Sequence, residues 1–369
     1  GGAGFIGSHT VDKFLKMGYK VNVIDNLSGG REQNLNHQKK NKNLNVEFFD
    51  IRNIKKKINF IKDVSFVIHF AGIGDIVPSI THPKKYISNN FNGTLELLEV
   101  LKNIQIKKFV YAASSSCYGI ANTPTKEDHK IDLQHPYALS KYLGEQVSFN
   151  YSNSYKIPVN SIRIFNAYGT RSKTSGAYGA VIGVFMKQLL SNSPITVVGD
   201  GNQSRDFVYV TDLAEAFYKA ATTNLSNKIW NVGSSNPQKI NYLVKLIKPR
   251  EVIYLPDRPG EPRVTHANIN LIKKDLKWKP KISFKKGIKK ILAEIDYWKD
   301  KEELKKRLIN RQEGKNCFDV TTVGFCYRVS SLQKMNHIFD GRIGSVEVSN
   351  IEGIDIDTPL DLEFCKILS

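Results

Sequence analysis

Cysteine is scarce in this sequence. Four cysteines occur among the 369 residues, namely Cys117, Cys317, Cys326 and Cys365, and no two of them form a C-x-x-C pair or stand at a metal-ligand spacing. The pattern therefore predicts neither a disulfide framework nor a cysteine-based metal centre. We expect reduced thiols, as in a cytoplasmic protein, and no bound metal.

Long apolar runs are also lacking. No run approaches the ~20 residues that a membrane-spanning helix needs, so we expect no membrane partner. The hydrophobic fraction of 41% and the charged fraction of 24% are ordinary for a globular protein. A chain of this length can bury a large core.

Acidic residues are outnumbered by basic ones, 35 against 54, which gives a formal net charge of +19. The basic clusters Lys39-Lys40, Lys55-Lys56-Lys57 and Lys285-Lys286 are not interleaved with aromatic residues, and the sequence contains no motif that reads nucleic acid. We expect these lysines on solvated faces, where a basic surface could gather anionic substrates. No nucleic-acid partner is predicted.

A cluster of glycines opens the sequence. Gly1-Gly-Ala-Gly-Phe-Ile-Gly7 contains G-x-G-x-x-G, and a helical pattern follows it until Gly18. Glycines at this spacing permit a tight turn that brings backbone amides at a helix N-terminus close to a pyrophosphate. The next strand ends in Asp25, near the ~20-residue offset at which an acid binds the adenine ribose and favours NAD over NADP. The strand expected before the glycines is absent, and we interpret the sequence as a partial chain.

A tyrosine and a lysine stand four residues apart in Tyr137-Ala-Leu-Ser-Lys141, directly after Pro136. The pattern predicts the start of a helix, with both side chains on one face. An ammonium beside a phenol favours the phenolate, so we expect the Tyr137 pKa to fall below its usual value of about 10. The phenolate could then take a proton from a sugar or alcohol hydroxyl near neutral pH. The spacing alone is equally consistent with an exposed helix face.

Strands and helices alternate through the first half of the chain. Strands are predicted at Val46–Asp50, Val64–His69 and Lys108–Ala113, and a long helix at Pro83–Leu101. Alternation of this kind predicts a parallel sheet covered by helices. Ser114 to Gly119 follows the third of these strands, at the sheet edge where such folds bind ligands. The predicted fold class is α/β, a Rossmann-type doubly wound parallel sheet with a smaller C-terminal substrate-binding lobe, plus a short appended α/β fragment.

Taken in order, these segments resemble the NAD-dependent nucleotide-sugar epimerase/dehydratase family, which belongs to the extended short-chain dehydrogenase/reductases and includes UDP-glucose and UDP-GlcNAc 4-epimerases. Further matching segments are Arg163–Arg171, Gly199–Phe207, Trp230–Gly233 and Arg258–Glu261. The resemblance runs from residue 1 to about residue 299, with an NAD part mainly in 1–165 and a sugar-nucleotide part mainly in 166–299. It implies NAD as cofactor, a UDP-sugar substrate and a homodimer.

The resemblance also implies residue roles. Tyr137 would be the base that removes the proton from the sugar 4-hydroxyl, Lys141 would hold the nicotinamide ribose, and Ser114 would hydrogen-bond the reacting oxygen. The implied cofactor contacts are Gly1, Gly4, Phe5, Ile6, Gly7, Asp25, Asn26, Asp50, Ile51, Phe70, Ala71, Gly72, Asn89, Tyr137 and Lys141. The implied substrate contacts are Ser114, Ser115, Ser116, Asn166, Arg205, Arg258 and Thr265.

The residues after Ser114 bear on the reaction. Dehydratases of this family usually carry Asp-Glu there, because eliminating water needs an extra acid and base, and this chain has Ser115 and Ser116. That difference favours 4-epimerisation. A small Thr265 at a pocket-limiting position favours UDP-GlcNAc/UDP-GalNAc, with UDP-glucose/UDP-galactose next. UDP-glucuronate 4-epimerisation, 4,6-dehydration and an inactive NAD- or nucleotide-sugar-binding fragment stay open.

The last 70 residues follow a different pattern. Residues 300–314 predict a charged helical linker, and residues 315–369 resemble the C-terminal end of acylneuraminate cytidylyltransferases. Asp355 and Asp357 match a Mg²⁺-binding pair of that family. The piece lacks the nucleotide loop of those enzymes, so we expect no working magnesium site. We interpret it as a fused remnant, a docking appendage or a joining error in the sequence.

Overall fold

The computed structural model of this protein describes residues 1–172, 181–257 and 262–295. The chain divides into two units, Gly1–Lys299 and Asp300–Ser369, and every described residue belongs to the first. Arg258, Asp355, Asp357, the linker at 300–314 and the fragment at 315–369 lie outside the described residues, so the expectations for them stay predictions.

Helices and strands alternate along the first unit, and their bounds fix the labels used below. The α-helices are α1 Phe5–Lys16, α2 Ile58–Ile61, α3 Val77–Thr81, α4 Pro83–Tyr86, α5 Gly93–Leu101, α6 Pro136–Tyr155, α7 Val181–Leu190, α8 Val210–Thr222, α9 Ile240–Ile247 and α10 Asn270–Leu276. The strands are β1 Val21–Asp25, β2 Leu44–Phe48, β3 Phe66–His69, β4 Lys108–Ser114, β5 Val159–Ile164, β6 Asn166–Tyr168, β7 Ile195–Val198, β8 Ser204–Arg205, β9 Phe207–Tyr209, β10 Lys228–Val232, β11 Gln238–Lys239 and β12 Val252–Leu255.

The central sheet is parallel. Four strands lie in the order β10-β5-β4-β3, and β1 pairs with β2 in a separate parallel pair. Every residue of β4 is buried, as expected for a strand covered by helices on both faces. The predicted parallel α/β architecture is confirmed.

Residues Gly1 to Ala3 lie between the ends of β1 and β3. The Gly1 nitrogen donates to the Ile24 carbonyl, and a Cβ added at Gly1 would lie 2.4 Å from the Ala71 nitrogen. The glycine-rich turn therefore sits at the carboxyl edge of both sheets, which is the edge where parallel α/β folds bind ligands.

Local structure departs from the sequence prediction around the first strands. Residues Glu32–Gln38 and Ile51–Lys57 form 3₁₀ helices. Strand β2 lies two residues earlier than predicted, and β3 begins two residues later than predicted but ends at His69 as predicted. The helix predicted at Pro83–Leu101 is not uniform, because Ile87–Asn92 forms a π-helical segment between α4 and α5. Such wide turns commonly occur at functional sites.

A second apolar cluster supports the smaller C-terminal lobe. Small sheets pair β6 with β9, β7 with β12 and β8 with β11, and helical residues 284–295 supply Phe284, Ile288, Ile291 and Ile295 to the buried cluster beneath them. In the described part of the chain, no helix combines the length and the apolar character needed to cross a membrane.

Candidate active site

The glycine-rich turn offers the backbone of α1 to a ligand. A Cβ at Gly7 would lie 2.1 Å from the Gly1 carbonyl oxygen, so only glycine permits this close packing. Gly4 precedes α1, and no side chain caps that helix end. The amides of the first turn, which includes Phe5 and Ile6, therefore remain available to an anion such as a pyrophosphate. The turn fits the cofactor that the sequence predicts.

The carboxylate predicted to meet the ribose is already oriented by the backbone. Asp25 is buried at the end of β1, where it accepts hydrogen bonds from the Ala3 amide at 3.0 Å and the Leu27 amide at 2.8 Å. Each oxygen retains a lone pair for a hydroxyl donor. Asp25 thus fits a ribose contact while also holding the glycine-rich turn against the strand.

The expected adenine-side residues lie together. Asp50 accepts hydrogen bonds from the Arg52 side chain and from Asn26, whose amide nitrogen lies 3.0 Å from it. These bonds, with Arg52 as the largest cause, lower the pKa of Asp50 to about 2. Ile51 follows, with its side chain against Gly93. The structure brings Asn26, Asp50 and Ile51 to one end of the β1–β2 pair.

An asparagine that sequence reasoning missed positions the loop after β3. Asn90 is buried in the π-helical segment. Its side chain accepts from the Ile73 amide at 2.7 Å and donates to the Ile73 carbonyl and to the Ser140 hydroxyl on α6. The predicted neighbour Asn89 instead donates to the Lys85 carbonyl. Asn90 thereby fixes the loop that carries Phe70, Ala71 and Gly72.

Ser114 and Tyr137 meet at the carboxyl edge of the central sheet. Ser114 ends β4 and also hydrogen-bonds the Ser116 amide and hydroxyl. Tyr137 lies in the first turn of α6, and the neighbouring Ser114 side chain lowers the pKa of its phenol. The His135 ring precedes the helix, accepts from the Ala138 amide at 3.2 Å and stacks on the Tyr137 ring. The predicted pair of hydroxyl groups is therefore assembled by two different elements.

Lys141 occupies a buried position one turn after Tyr137. Its Nζ atom lies 4.4 Å from the centre of the Tyr111 ring, and a Cβ at Gly72 would lie 3.9 Å from it. Burial lowers the pKa of Lys141 to about 7, while Glu145 raises it. Lys141 also helps hold His69 neutral, because burial and this ammonium lower the His69 pKa.

The predicted effect of Lys141 on Tyr137 is wrong for this arrangement. Burial raises the pKa of Tyr137, the bond to Ser114 lowers it, and Asp75 and Cys117 raise it. Lys141 is not among the groups that shift it, because its ammonium lies over Tyr111 rather than beside the phenol. Two side chains four residues apart lie on one face of a helix, but tertiary packing decides which groups each side chain contacts.

The sugar-nucleotide side is organised around Asp206. The Asn166 side chain donates to the Thr265 hydroxyl at 3.0 Å, and that hydroxyl also accepts from the Asp206 amide at 3.1 Å. The Asp206 carbonyl accepts from the Asn166 amide. Three segments distant in sequence therefore meet, and the predicted contacts Asn166 and Thr265 touch each other.

Three other residues that are predicted to contact the substrate lie on two different elements. Ser115 and Ser116 form the 3₁₀ turn after Ser114. Arg205 ends β8 and donates to the Ser204 and Pro262 carbonyls. Within the described ranges, no group of three or more His, Cys, Asp or Glu side chains is arranged to hold a metal ion.

Fold and site together define a class of protein. The family model "NAD dependent epimerase/dehydratase family" matches residues 1–233, and this chain belongs to that family. The relatives that follow are proteins to which the chain is similar.

A UDP-glucuronate 4-epimerase from Thermodesulfobacterium geofontis is 34% identical over 84% of this chain and 97% of its own length. A UDP-glucose 4-epimerase structure from Thermotoga maritima, solved with UDP-glucose, is 30% identical, with a TM-score of 0.75 over 82% of this chain and 97% of that one. A UDP-N-acetylglucosamine 4-epimerase structure from Methanobrevibacter ruminantium M1, in complex with UDP-N-acetylmuramic acid, is 31% identical, with a TM-score of 0.75 over 81% and 96%.

Proposed function

We propose that this protein is an NAD-dependent 4-epimerase of a UDP-sugar. The observation that carries the proposal is the grouping of Ser114, at the carboxyl end of β4, with Tyr137 in the first turn of α6 and Lys141 one helical turn further on. A glycine-rich turn that fits a pyrophosphate lies at the same edge. A hydroxyl pair of this kind suits proton transfer at a carbinol carbon.

Each residue of the group has a distinct task. Tyr137 takes the proton of the sugar 4-hydroxyl, and Ser114 hydrogen-bonds the same oxygen as it becomes a carbonyl. The Nζ atom of Lys141 makes no hydrogen bond to any described residue, so its three donors suit ribose hydroxyls. When bound, NAD would supply hydride acceptance and return at C4. Tyr137 would give its proton back to the oxygen at C4, which completes the epimer.

The relatives act on three different sugars, so the substrate preference rests on this chain's own residues. Thr265 is small, and two hydrogen bonds hold its hydroxyl. That arrangement supports room for an N-acetyl group, and we place UDP-GlcNAc/UDP-GalNAc first and UDP-glucose/UDP-galactose second. Ser115 and Ser116, where dehydratases carry Asp-Glu, support epimerisation over elimination.

Proton NMR of the purified chain with NAD and a panel of UDP-sugars tests the function. We expect the anomeric and H4 signals of a C4 epimer to appear for at least one sugar. A 4-keto-6-deoxy product would assign the protein to dehydration instead. Binding of UDP-sugar without any turnover would indicate an inert nucleotide-sugar-binding protein.

Tyr137→Phe tests the role of the base. The variant retains the ring that packs against Tyr86 and His135 but loses the hydroxyl, so kcat should fall by about 10²–10⁴ while UDP-sugar still binds. Tyr155→Phe, at the exposed end of the same helix, is the matched control and should keep normal turnover. Normal turnover in Tyr137→Phe would refute the mechanism.

We further propose a cytoplasmic homodimer. The cysteine usage supports the location, since the described thiol, Cys117, is free and buried. Family resemblance supports the dimer, and α5 and α6, which pack together, carry half-buried Leu95, Val147 and Phe149 that a second copy could cover. A monomeric mass in light scattering would contradict the dimer.

A further inference from the structure

A buried ion pair lies between α6 and the central sheet. Glu145 on α6 and Arg163 on β5 are both almost fully buried. The Arg163 Nη2 atom lies 2.6 Å from Glu145 Oε1, and its Nε atom lies within 3.2 Å of both carboxylate oxygens. The Ser161 hydroxyl donates to Glu145 Oε2 at 2.7 Å. The guanidinium therefore holds the helix by a forked, charge-assisted contact, whose direction is fixed more tightly than that of a single hydrogen bond.

The other end of the guanidinium reaches the turn that follows Ser114. The Arg163 Nη1 atom donates to the Tyr118 hydroxyl at 2.9 Å and to the Glu127 carbonyl at 3.0 Å. Tyr118 is the last residue of the 3₁₀ turn that the Ser114 side chain caps. One side chain is therefore bonded both to the helix that carries Tyr137 and to the turn that begins at Ser114.

The strand register places Arg163 at the level of the candidate active site. In the parallel pair of β4 and β5, Arg163 is the partner of Ala113, the residue directly before Ser114. One helical turn before the ion pair, the Lys141 carbonyl accepts from the Tyr111 hydroxyl on β4 at 3.2 Å. Helix and sheet are thus joined at two successive turns of α6, directly after the turn that carries the proposed base.

We propose that Arg163 is a positioning residue that sets the distance between the hydroxyl groups of Ser114 and Tyr137. The inference rests on the proposed function, because it assumes that both hydroxyls act on the same substrate oxygen. Ser114 ends a strand, whereas Tyr137 begins a helix. The contacts from Glu145 through Arg163 to Tyr118 form a chain of direct bonds between these two elements. A displacement of about 1 Å at a reacting group can lower the rate about a hundredfold.

Stability alone does not account for this ion pair. A buried ion pair is often no more stabilising than apolar side chains of similar volume, because both charges lose their hydration. The pair does favour a single geometry, since a displacement leaves a buried charge without its partner. Lysine would keep the charge at position 163, but an ammonium lacks the planar fork that contacts Glu145 on one side and Tyr118 on the other.

Tyr118→Phe tests the proposal with a small change. It keeps the ring, whose centre lies 5.0 Å from the Arg163 guanidinium carbon, and the contact between Arg163 and Glu145. It removes the hydroxyl that accepts from Arg163 and donates to Asn231. We expect kcat to fall by about tenfold or more, with KM for the UDP-sugar changed less than about twofold.

Tyr151→Phe is the matched control. It also removes the hydrogen-bonded hydroxyl of a buried tyrosine, which here donates to Glu99 near the far end of α6. Turnover should stay normal in this variant, because no contact of Tyr151 leads to the turn after Ser114. Normal kcat in Tyr118→Phe would overturn the inference.

A double-mutant cycle separates positioning from a general loss of folded protein. Ser114→Ala alone should lower kcat by about 10²–10³. In that background the hydroxyl to be positioned is already absent, so adding Tyr118→Phe should lower kcat by less than about threefold more. A smaller folded fraction would instead lower kcat equally in both backgrounds. An equal loss in the two backgrounds would therefore also overturn the inference.

Hydrogen exchange gives a readout that does not need turnover. Arg163→Lys keeps the charge beside Glu145 but should release the turn, so the amides of residues 115–119 should exchange faster by about tenfold or more. The same amides should exchange at the wild-type rate in Tyr151→Phe. If the wild-type protein turns over no UDP-sugar, the proposed function fails, and faster exchange in Arg163→Lys would still support Arg163 as the residue that holds the turn to α6. Unchanged exchange would overturn that role.

Discussion

Lys141 carries a charge at a costly position. Its side chain is 8% exposed, and burial lowers its pKa from an unfolded value of 10.5 to about 7. Between these two pH values the unfolded chain holds a proton that the folded chain releases, so folding stability rises with pH across that window. Below pH 7 the folded state carries the full cost of the buried ammonium.

Replacing Lys141 by Met should therefore stabilise the nucleotide-free protein while removing activity. The gain should be about 2–4 kcal/mol at pH 6 and should shrink steadily toward pH 10. Chemical denaturation at a series of pH values measures it. Lys107→Met, at an exposed position, is the control and should show a difference that does not change with pH. If the difference in unfolding free energy between Lys141→Met and the wild type did not change with pH, the lysine would not be desolvated.

At the scale of elements, the helical run from α4 to α5 shows how one wide turn builds a site. The π-helical segment Ile87–Asn92 rotates the side chains that follow it relative to a regular helix. Asn90, rather than the predicted Asn89, thereby points inward to the loop after β3 and to α6. The cofactor contact implied for Asn89 stays a prediction.

Asn90→Ala should loosen this junction. The change leaves both Ile73 backbone groups and Ser140 without their partner, and buried unsatisfied groups of this kind cost about 1–3 kcal/mol each. We expect a loss of about 2–4 kcal/mol of stability and a lower kcat, because Asn90 no longer joins the loop at Ile73 to α6. Thermal denaturation and NMR turnover measure the two effects.

Asn89→Ala is the matched control for this junction. Asn89 makes one hydrogen bond to its own helix, so its loss should cost less than about 1 kcal/mol. Equal destabilisation by the two variants would contradict the role assigned to Asn90.

At the scale of the whole first unit, Asp206 joins segments from three parts of the chain. Its fully buried carboxylate accepts from the Ser234 amide and hydroxyl, both at 2.6 Å, from the Ser235 amide at 3.1 Å and from the Ala267 amide at 2.8 Å. Its backbone holds Asn166 and Thr265. One side chain thus positions the sugar-nucleotide side of the site.

Asp206→Asn should weaken both the fold and substrate binding. An amide group must face at least one backbone N–H with its own N–H, which leaves a buried donor without an acceptor and costs about 2–4 kcal/mol. We expect KM for the UDP-sugar to rise by about tenfold or more, since Asn166 and Thr265 shift together. Denaturation and steady-state kinetics measure these two effects, with Asp63→Asn, at an exposed position, as the control. Normal KM in a folded Asp206→Asn would contradict the role.

Much of the site could be predicted because its signals are local. A glycine turn before a helix, an acid at the end of the next strand and a Tyr-x-x-x-Lys pair after a proline each depend on backbone geometry within a few residues. The parallel α/β fold follows from the same alternation of strands and helices. The parallel α/β fold and the family membership are confirmed, whereas the roles and contacts of the individual site residues stay predictions.

Tertiary structure decided the features of the site that the sequence did not predict. Asn90, Tyr111 and Asp206 gain their positions from partners 17 to 61 residues away in sequence, and no local pattern marks such partners. The Tyr137 pKa was predicted in the wrong direction, because desolvation depends on everything that surrounds the phenol and not on the residue four positions later. Sequence alone determined which chemical groups this protein has, and packing determined the charge and the direction of each group.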